Sequence, residues 1–376
     1  MNDKYFSEWQ TTYNNQAKWQ ISNIPSIMKT KGGLMYSRFH PFYDQPLKII
    51  ERENEERFIV ETFRDETPES KVYIITGPRG SGKTVLLAKL KKDFKEQGYL
   101  TVDLNSYGNM EEQFASKLYE EGKLWKLFLK PEFSFSFHGL TFSINGTNEI
   151  SNVTTLIEKM LSYLAKKQKR VLILIDDVSN TDEMKKFIFS FQQWIREEYP
   201  VFLLMTGLYE NISELGKSKS LTFFVRAPKI TLEPLNLTSI AFAYKQILDL
   251  DDKESAKYAK LTKGYAYGYQ VLGSLLFKNN DKKLNLDEYD LKLFDNSYSL
   301  IWAHLTEREK QILLETASTS KQVDICKNLS ISNGCLQMYK KRLTDKGLIA
   351  SKTRGTMQFV LPRFKEFVEW QAMLEE

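Results

Sequence analysis

The chain predicts an α/β fold: a parallel sheet flanked by helices, then a helical segment, then a small basic helix-and-wing module. Three observations predict it. Val72-Tyr73-Ile74-Ile75-Thr76 is a β-branched and aromatic run that leads through a glycine-rich turn into helical Val85-Leu86-Leu87-Ala88. Val171-Leu172-Ile173-Leu174-Ile175 is apolar at every position, as a strand buried on both faces of a parallel sheet must be, and it ends in Asp176-Asp177. The last quarter of the chain shows three short helices followed by two strand-like pieces.

The 376 residues leave room for two or three domains. With 42% hydrophobic and 27% charged residues the composition is that of an ordinary soluble protein. No apolar run approaches the roughly 18–20 residues that cross a bilayer, and the first residues lack the apolar stretch of a signal peptide, so a cytoplasmic location without membrane contact is expected. Cys326 and Cys335 are the only cysteines and have no neighbouring histidine, which excludes a disulfide framework or zinc cluster. The net charge of +5 does not by itself imply nucleic acid.

The glycine-rich turn reads Gly77-Pro78-Arg79-Gly80-Ser81-Gly82-Lys83-Thr84, a G-x-x-x-x-G-K-T pattern. Glycines let the backbone curl so that its N–H groups face phosphate oxygens, and the following helix N-terminus adds partial positive charge. All eight residues are therefore candidate ATP contacts, with Lys83 reaching the β and γ phosphates and Thr84 offering its hydroxyl to Mg²⁺. The acids after the second run complete the pattern: Asp176 is the candidate Mg²⁺ contact and Asp177 the candidate to polarise an attacking water. A third strand, Val201-Phe202-Leu203-Leu204-Met205, ends at Thr206. Thr206 is a candidate for the γ-phosphate or the water; the competing reading is a helix cap for Tyr209–Leu215. Arg226, ahead of a short proline-flanked strand, is a candidate to stabilise transition-state charge on a neighbouring subunit, or else a plain surface arginine or one paired within its own domain.

The order of these pieces (G-P-R-G-S-G-K-T, L-I-D-D, L-L-M-T-G, R-A-P-K-I-T-L-E-P-L, then T-K-G-Y-A-Y-G-Y-Q-V-L-G from Thr262) resembles the bacterial and archaeal AAA+ ATPases related to origin initiators and to the STAND signalling ATPases. The resemblance spans residues 50–360 in arrangement. It implies a P-loop sheet of the ASCE type, an α-helical lid and a C-terminal winged helix-turn-helix. Departures are visible. Many relatives carry Glu where Asp177 stands, one methylene longer, so slow hydrolysis or a switch held by bound ATP is expected. The lid segment Gly264–Gln270 has no arginine to sense the γ-phosphate, and Ala266 replaces the proline of a G-x-P motif. Tyr265 or Tyr267 is left either to pack near adenine or to fill the core.

The organisation expected is an N-terminal extension (1–46), a nucleotide-binding core (47–235) with a β-hairpin insertion (132–146), a helical lid (236–300) and a winged helix (301–376). Leu47–Phe63 reads as an acidic amphipathic helix, Leu100–Leu104 as a strand, and Met110–Phe128 and Asn152–Lys166 as helices. In the insertion, Phe133, Phe135, Phe137, Leu140, Phe142 and Ile144 alternate on one face around His138-Gly139, a hairpin pattern that covers a sheet edge or meets a partner. Thr306-Glu307-Arg308-Glu309 opens the winged helix with a capping-box pattern. Between Lys321 and Lys365 ten basic residues face only Asp324 and Asp345. Lys340, Lys341, Arg342 and the wing-tip Arg354 are the candidate contacts to duplex DNA, with Asn333 and Gln337 placed to reach base edges. The expected activity is slow ATP hydrolysis serving a nucleotide switch that engages DNA. The alternative is a STAND-like signalling or defence ATPase that binds protein partners or associates with itself.

Overall fold

The strands, in chain order, are β1 (Ile27–Thr30), β2 (Gly33–Tyr36), β3 (Val72–Thr76), β4 (Leu100–Leu104), β5 (Phe135–Phe137), β6 (Leu140–Phe142), β7 (Val171–Ile175), β8 (Val201–Gly207), β9 (Lys229–Thr231), β10 (Ile349–Ala350) and β11 (Gln358–Phe359). The computed structural model describes these strands, Phe39, and residues 49–124, 153–218, 221–279, 281–351 and 353–375. Phe133, His138 and Ile144 of the insertion, and most of the N-terminal extension, lie outside the described residues.

Five strands form one parallel sheet in the order β4-β7-β8-β3-β9. The chain therefore skips outward from β3, returns through β7 and β8, and closes beside its starting strand. Every residue of β3, β7 and β8 is buried, yet the pleat still sorts them. Val72, Ile74, Ile173, Ile175, Leu203 and Met205 meet a cluster that contains Phe114, Phe187 and Trp194. Tyr73, Ile75, Leu172, Leu174, Phe202 and Leu204 meet the opposite cluster, with Phe63 and Phe94. The helices that supply these layers are α1 (Glu53–Arg64), α2 (Lys83–Glu96), α3 (Met110–Glu121), α4 (Val153–Lys166) and α5 (Asp182–Arg196), with short α6 (Tyr209–Gly216) and α7 (Thr222–Arg226) at the sheet's C-terminal end. Outside the sheet, β5 pairs antiparallel with β6, Phe135 opposite Phe142. The hairpin of β1 and β2, Ile27 opposite Tyr36, was not anticipated, because four-residue strands are too short to show a period of two.

After β9 the chain is helical: α8 (Leu237–Leu248), α9 (Asp252–Leu261), α10 (Ala266–Lys278), α11 (Leu286–Leu293), a π-helical turn (Phe294–Tyr298) and α12 (Ser299–Ala303). Then come α13 (Glu307–Ser318), α14 (Gln322–Asn328), α15 (Asn333–Asp345), the β10–β11 wing and α16 (Phe364–Glu375). Thr306 and Glu309 form a capping box at α13. Helix α16 was not anticipated; Phe364, Phe367 and Val368 give it a buried i, i+3, i+4 stripe. That stripe belongs to a single apolar cluster that runs from the lid (Tyr244, Leu272, Tyr298) into the winged helix (Leu313, Leu336, Phe367). Arg363 reinforces the joint, its Nε and Nη2 holding both carboxylate oxygens of Asp290 at 2.7 and 2.5 Å. Phe367→Ala is expected to cost about 3–5 kcal/mol. Lid helices and wing should lose amide-exchange protection together, which native-state hydrogen exchange would check.

Candidate nucleotide site

The register of the sheet assembles the site. Strand β8 lies between β3 and β7, with Ile75 opposite Thr206 and Ile175 opposite Met205. The three strands thus end at one level, the C-terminal edge, where ligands of open α/β sheets bind. Thr84, on the first turn of α2, donates from Oγ1 to Asp176 Oδ2 at 2.8 Å. Thr206 Oγ1 donates to the other carboxylate oxygen, Asp176 Oδ1, and accepts the Asp177 backbone N–H at 3.1 Å. The cap reading of Thr206 does not hold: α6 is preceded by Leu208 and has no side-chain cap bond. Asp177 is exposed beyond the strand end, in the left-handed region at φ 53°. A non-glycine residue pays about 1 kcal/mol or more to sit there, and such residues gather at functional sites.

The loop itself curls over the N-terminus of α2, with Gly80 at φ 76° and Gly82 at φ 92°. Lys83 Nζ donates back to Gly77 O at 2.9 Å and Pro78 O at 3.0 Å. Burial lowers the Lys83 ammonium to about 8, and the nearby Asp177 and Asp176 oppose the shift only in part. Ser81 Oγ is buried with no hydrogen-bond partner among the described residues. A phosphate in the loop would supply that partner and would hold Lys83 charged. Thr84 and Asp176 are hard oxygen donors in direct contact, a pair that fits Mg²⁺ when phosphate oxygens and water complete its shell.

A cavity of about 490 Å³ opens beside the loop. Its polar wall is Arg79–Thr84, Asp176, Asp177 and Thr206; its apolar wall includes Ile49, Ile50, Leu208 and Leu235. The lid supplies Tyr267, Tyr269 and Gln270 to the same cavity, a mixed lining suited to a base and ribose. Of the two tyrosines weighed from sequence, Tyr267 lines the cavity, whereas Tyr265 is buried in the lid core and reaches the loop with its hydroxyl alone.

Sequence reasoning missed Arg52. Its guanidinium is buried beneath the loop, donating to Ser81 O at 2.8 Å and to Glu233 O at 2.5 Å. An arginine between two glutamates reads as a solvated helix charge, so only packing reveals it. Arg226 sits at the exposed end of α7 and is not among the residues lining the cavity. Lys341, Arg342 and Arg354 are exposed and Lys340 is half-buried, all on the winged helix; none lines the nucleotide cavity, but Lys341 lines a second cleft shared with Pro78 and Ser81 of the loop. Lys346 and Arg363 do not belong to that basic surface. Lys346 is buried between Glu210 and Glu309, 3.1 Å from each, and Arg363 is committed to Asp290 and Glu366.

The low Lys83 value sets a pH dependence with a definite sign. Between pH 7 and 9 the free site loses a proton that bound phosphate would restore, so nucleotide affinity should fall as pH rises through about 8. Binding near pH 8.5 should take up a fraction of a proton, which calorimetry in buffers of different ionisation enthalpy would measure.

Residues 49–223 match a family described as an ATPase domain predominantly from Archaea, and residues 295–368 match a domain of unknown function. No curated protein matches the sequence. Among solved structures, a Walker-type ATPase of Pyrococcus abyssi superposes with a TM-score of 0.57 at 16% identity, over 87% of this chain and 97% of that one. The Aeropyrum pernix ORC2 protein superposes with a TM-score of 0.55 at 14% identity, over 89% of this chain and 97% of that one. At such identities the likeness is one of fold: a five-stranded parallel sheet between helices, then a helical C-terminal region with a small hairpin. Over residues 49–223 the chain is thus similar to ATPase domains found predominantly in Archaea.

Proposed function

We propose that the chain binds ATP with Mg²⁺ between core and lid, hydrolyses it slowly, and uses the bound nucleotide as a switch. The observation that carries this reading is the Thr84–Asp176–Thr206 chain of side chains beneath a glycine loop. Mg²⁺, held by Thr84 and Asp176, would neutralise charge on the β and γ phosphates. Lys83 and the loop N–H groups bind the same phosphates from the other side. Asp177 stands next in line and is free to orient a water and accept its proton. Thr206 fixes both acids, through the Asp176 carboxylate and the Asp177 N–H, so that their spacing survives the reaction. The reach lost with a carboxylate one methylene shorter than Glu supports a slow step. Arg226, exposed at the end of α7 and absent from the lining of its own cavity, would serve a neighbouring copy.

The winged helix is proposed to meet duplex DNA through Lys340, Lys341, Arg342 and Arg354. A second reading, a signalling ATPase whose winged helix acts within its own chain, is favoured by one contact. A Cβ on Gly347 would lie 2.8 Å from Pro78 of the loop, and Lys346 pairs with Glu210 beside the site, so the end of α15 rests on the core.

Lys83→Ala should abolish ATP binding, while Asp177→Asn should keep binding and lower turnover by about tenfold or more; retained hydrolysis in Lys83→Ala would sink the site assignment. For DNA, affinity should fall steeply with salt, and replacing Lys340, Lys341 and Arg342 by Gln should flatten the log–log slope by about 2–3. Absence of binding at low salt would leave the signalling reading.

A further inference from the structure

Curling the loop turns its N–H groups inward and its carbonyls outward, because C=O and N–H of a trans peptide point in opposite directions. Three consecutive outward carbonyls find donors from distant parts of the chain. Arg79 O accepts from the Tyr265 hydroxyl at 2.7 Å, Gly80 O from the Tyr267 N–H at 2.9 Å, and Ser81 O from Arg52 at 2.8 Å. Two of the three donors belong to the lid. Tyr265 also lies 2.7 Å from Ser297 Oγ. Arg79 O can only accept, so Tyr265 gives its single proton to the loop and Ser297 is the donor to Tyr265. Ser297 sits in the π-helical turn, a geometry in which one inserted residue displaces the helix and which recurs at functional sites. The next residue, Tyr298, donates its hydroxyl to Pro362 O at 2.5 Å, at the start of α16. The contact leaves no slack: a Cβ on Gly80 would stand 2.3 Å from the Tyr265 oxygen.

We propose that Tyr265 is the positioning residue through which the lid and winged helix read the phosphate loop, in place of the arginine that the lid segment lacks. The proposal rests on the loop being a nucleotide site. A phosphate entering the loop draws the Gly80 N–H toward it, and the Arg79 carbonyl on the same rigid peptide plane must turn with it. Tyr265 follows the carbonyl, Ser297 follows Tyr265, and the π-helical turn passes the shift to α16.

The test uses the full-length chain with and without the Mg²⁺ complex of β,γ-imido-ATP. Nucleotide affinity and amide exchange are measured for the wild type, Tyr265→Phe and Ser297→Ala. The wild type should respond to nucleotide both at the start of α2 and at Phe294–Tyr298 with α16. Tyr265→Phe should bind about three- to tenfold more weakly and keep the response at α2 while losing the one at the π-helical turn. Ser297 borders the nucleotide cavity, but its hydroxyl is spent on Tyr265 and the bond from Tyr265 to Arg79 stays intact in Ser297→Ala, so affinity should change by less than about twofold while the distal response still falls. That split separates a relay from simple packing, and it remains readable if the tyrosine variant does not fold. A wild type that binds nucleotide while the folded variants keep the full distal response overturns this inference alone. A wild type that binds no nucleotide overturns the nucleotide reading and the inference with it.

Discussion

A backbone curled tightly enough to surround a phosphate turns three consecutive carbonyls outward, beyond the reach of its own donors. That geometric debt organises much of the molecule. The outward oxygens of Arg79, Gly80 and Ser81 call on donors far away in sequence, from the segment before α1 and from the lid. Buried carbonyls left without partners would each cost about 1–3 kcal/mol. The sheet makes the complementary demand on the other side: β8 must lie between β3 and β7 for Thr206 to reach Asp176. Loop and acids are then held by separate layers of one frame.

Charge follows the same frame. Lys83 is desolvated and leans on carbonyl oxygens of its own loop, so its ammonium is less stable than that of an exposed lysine. Asp176 accepts two hydroxyls and is thereby oriented for a cation rather than paired with one. A site with a weakened cation on one wall and a directed carboxylate on the other gains from a ligand that brings both anion and metal.

The core of this arrangement was legible in sequence because its signals are local and doubly constrained. G-x-x-x-x-G-K-T needs glycine conformations found in few other settings, and Val171–Ile175 is too uniformly apolar for anything but an internal parallel strand. The helix-turn-helix and its capping box were legible for the same reason. What escaped notice depends on packing. Arg52 differs from any surface arginine only in what covers it. Tyr265 was read as either core or ligand, and it is core by its ring while its hydroxyl grips the loop. Charge counting also overstated the basic surface, since it could not see that Lys346 and Arg363 are neutralised inside the fold. The short hairpin at Ile27–Tyr36 carries no periodic signal.

The apolar cluster that joins lid to winged helix bears on how such a protein can change over evolutionary time. Winged helices are often exchanged as self-contained cassettes between chains. Here the seam between the two units is solid: Tyr298 packs edge-on against Phe364 and Phe367, and Phe294 edge-on against Phe367. A graft that cut at the apparent boundary would lay those aromatic faces open to water. Recombination that preserves function must therefore carry lid and wing across together, and drift in either must be matched by drift in the other.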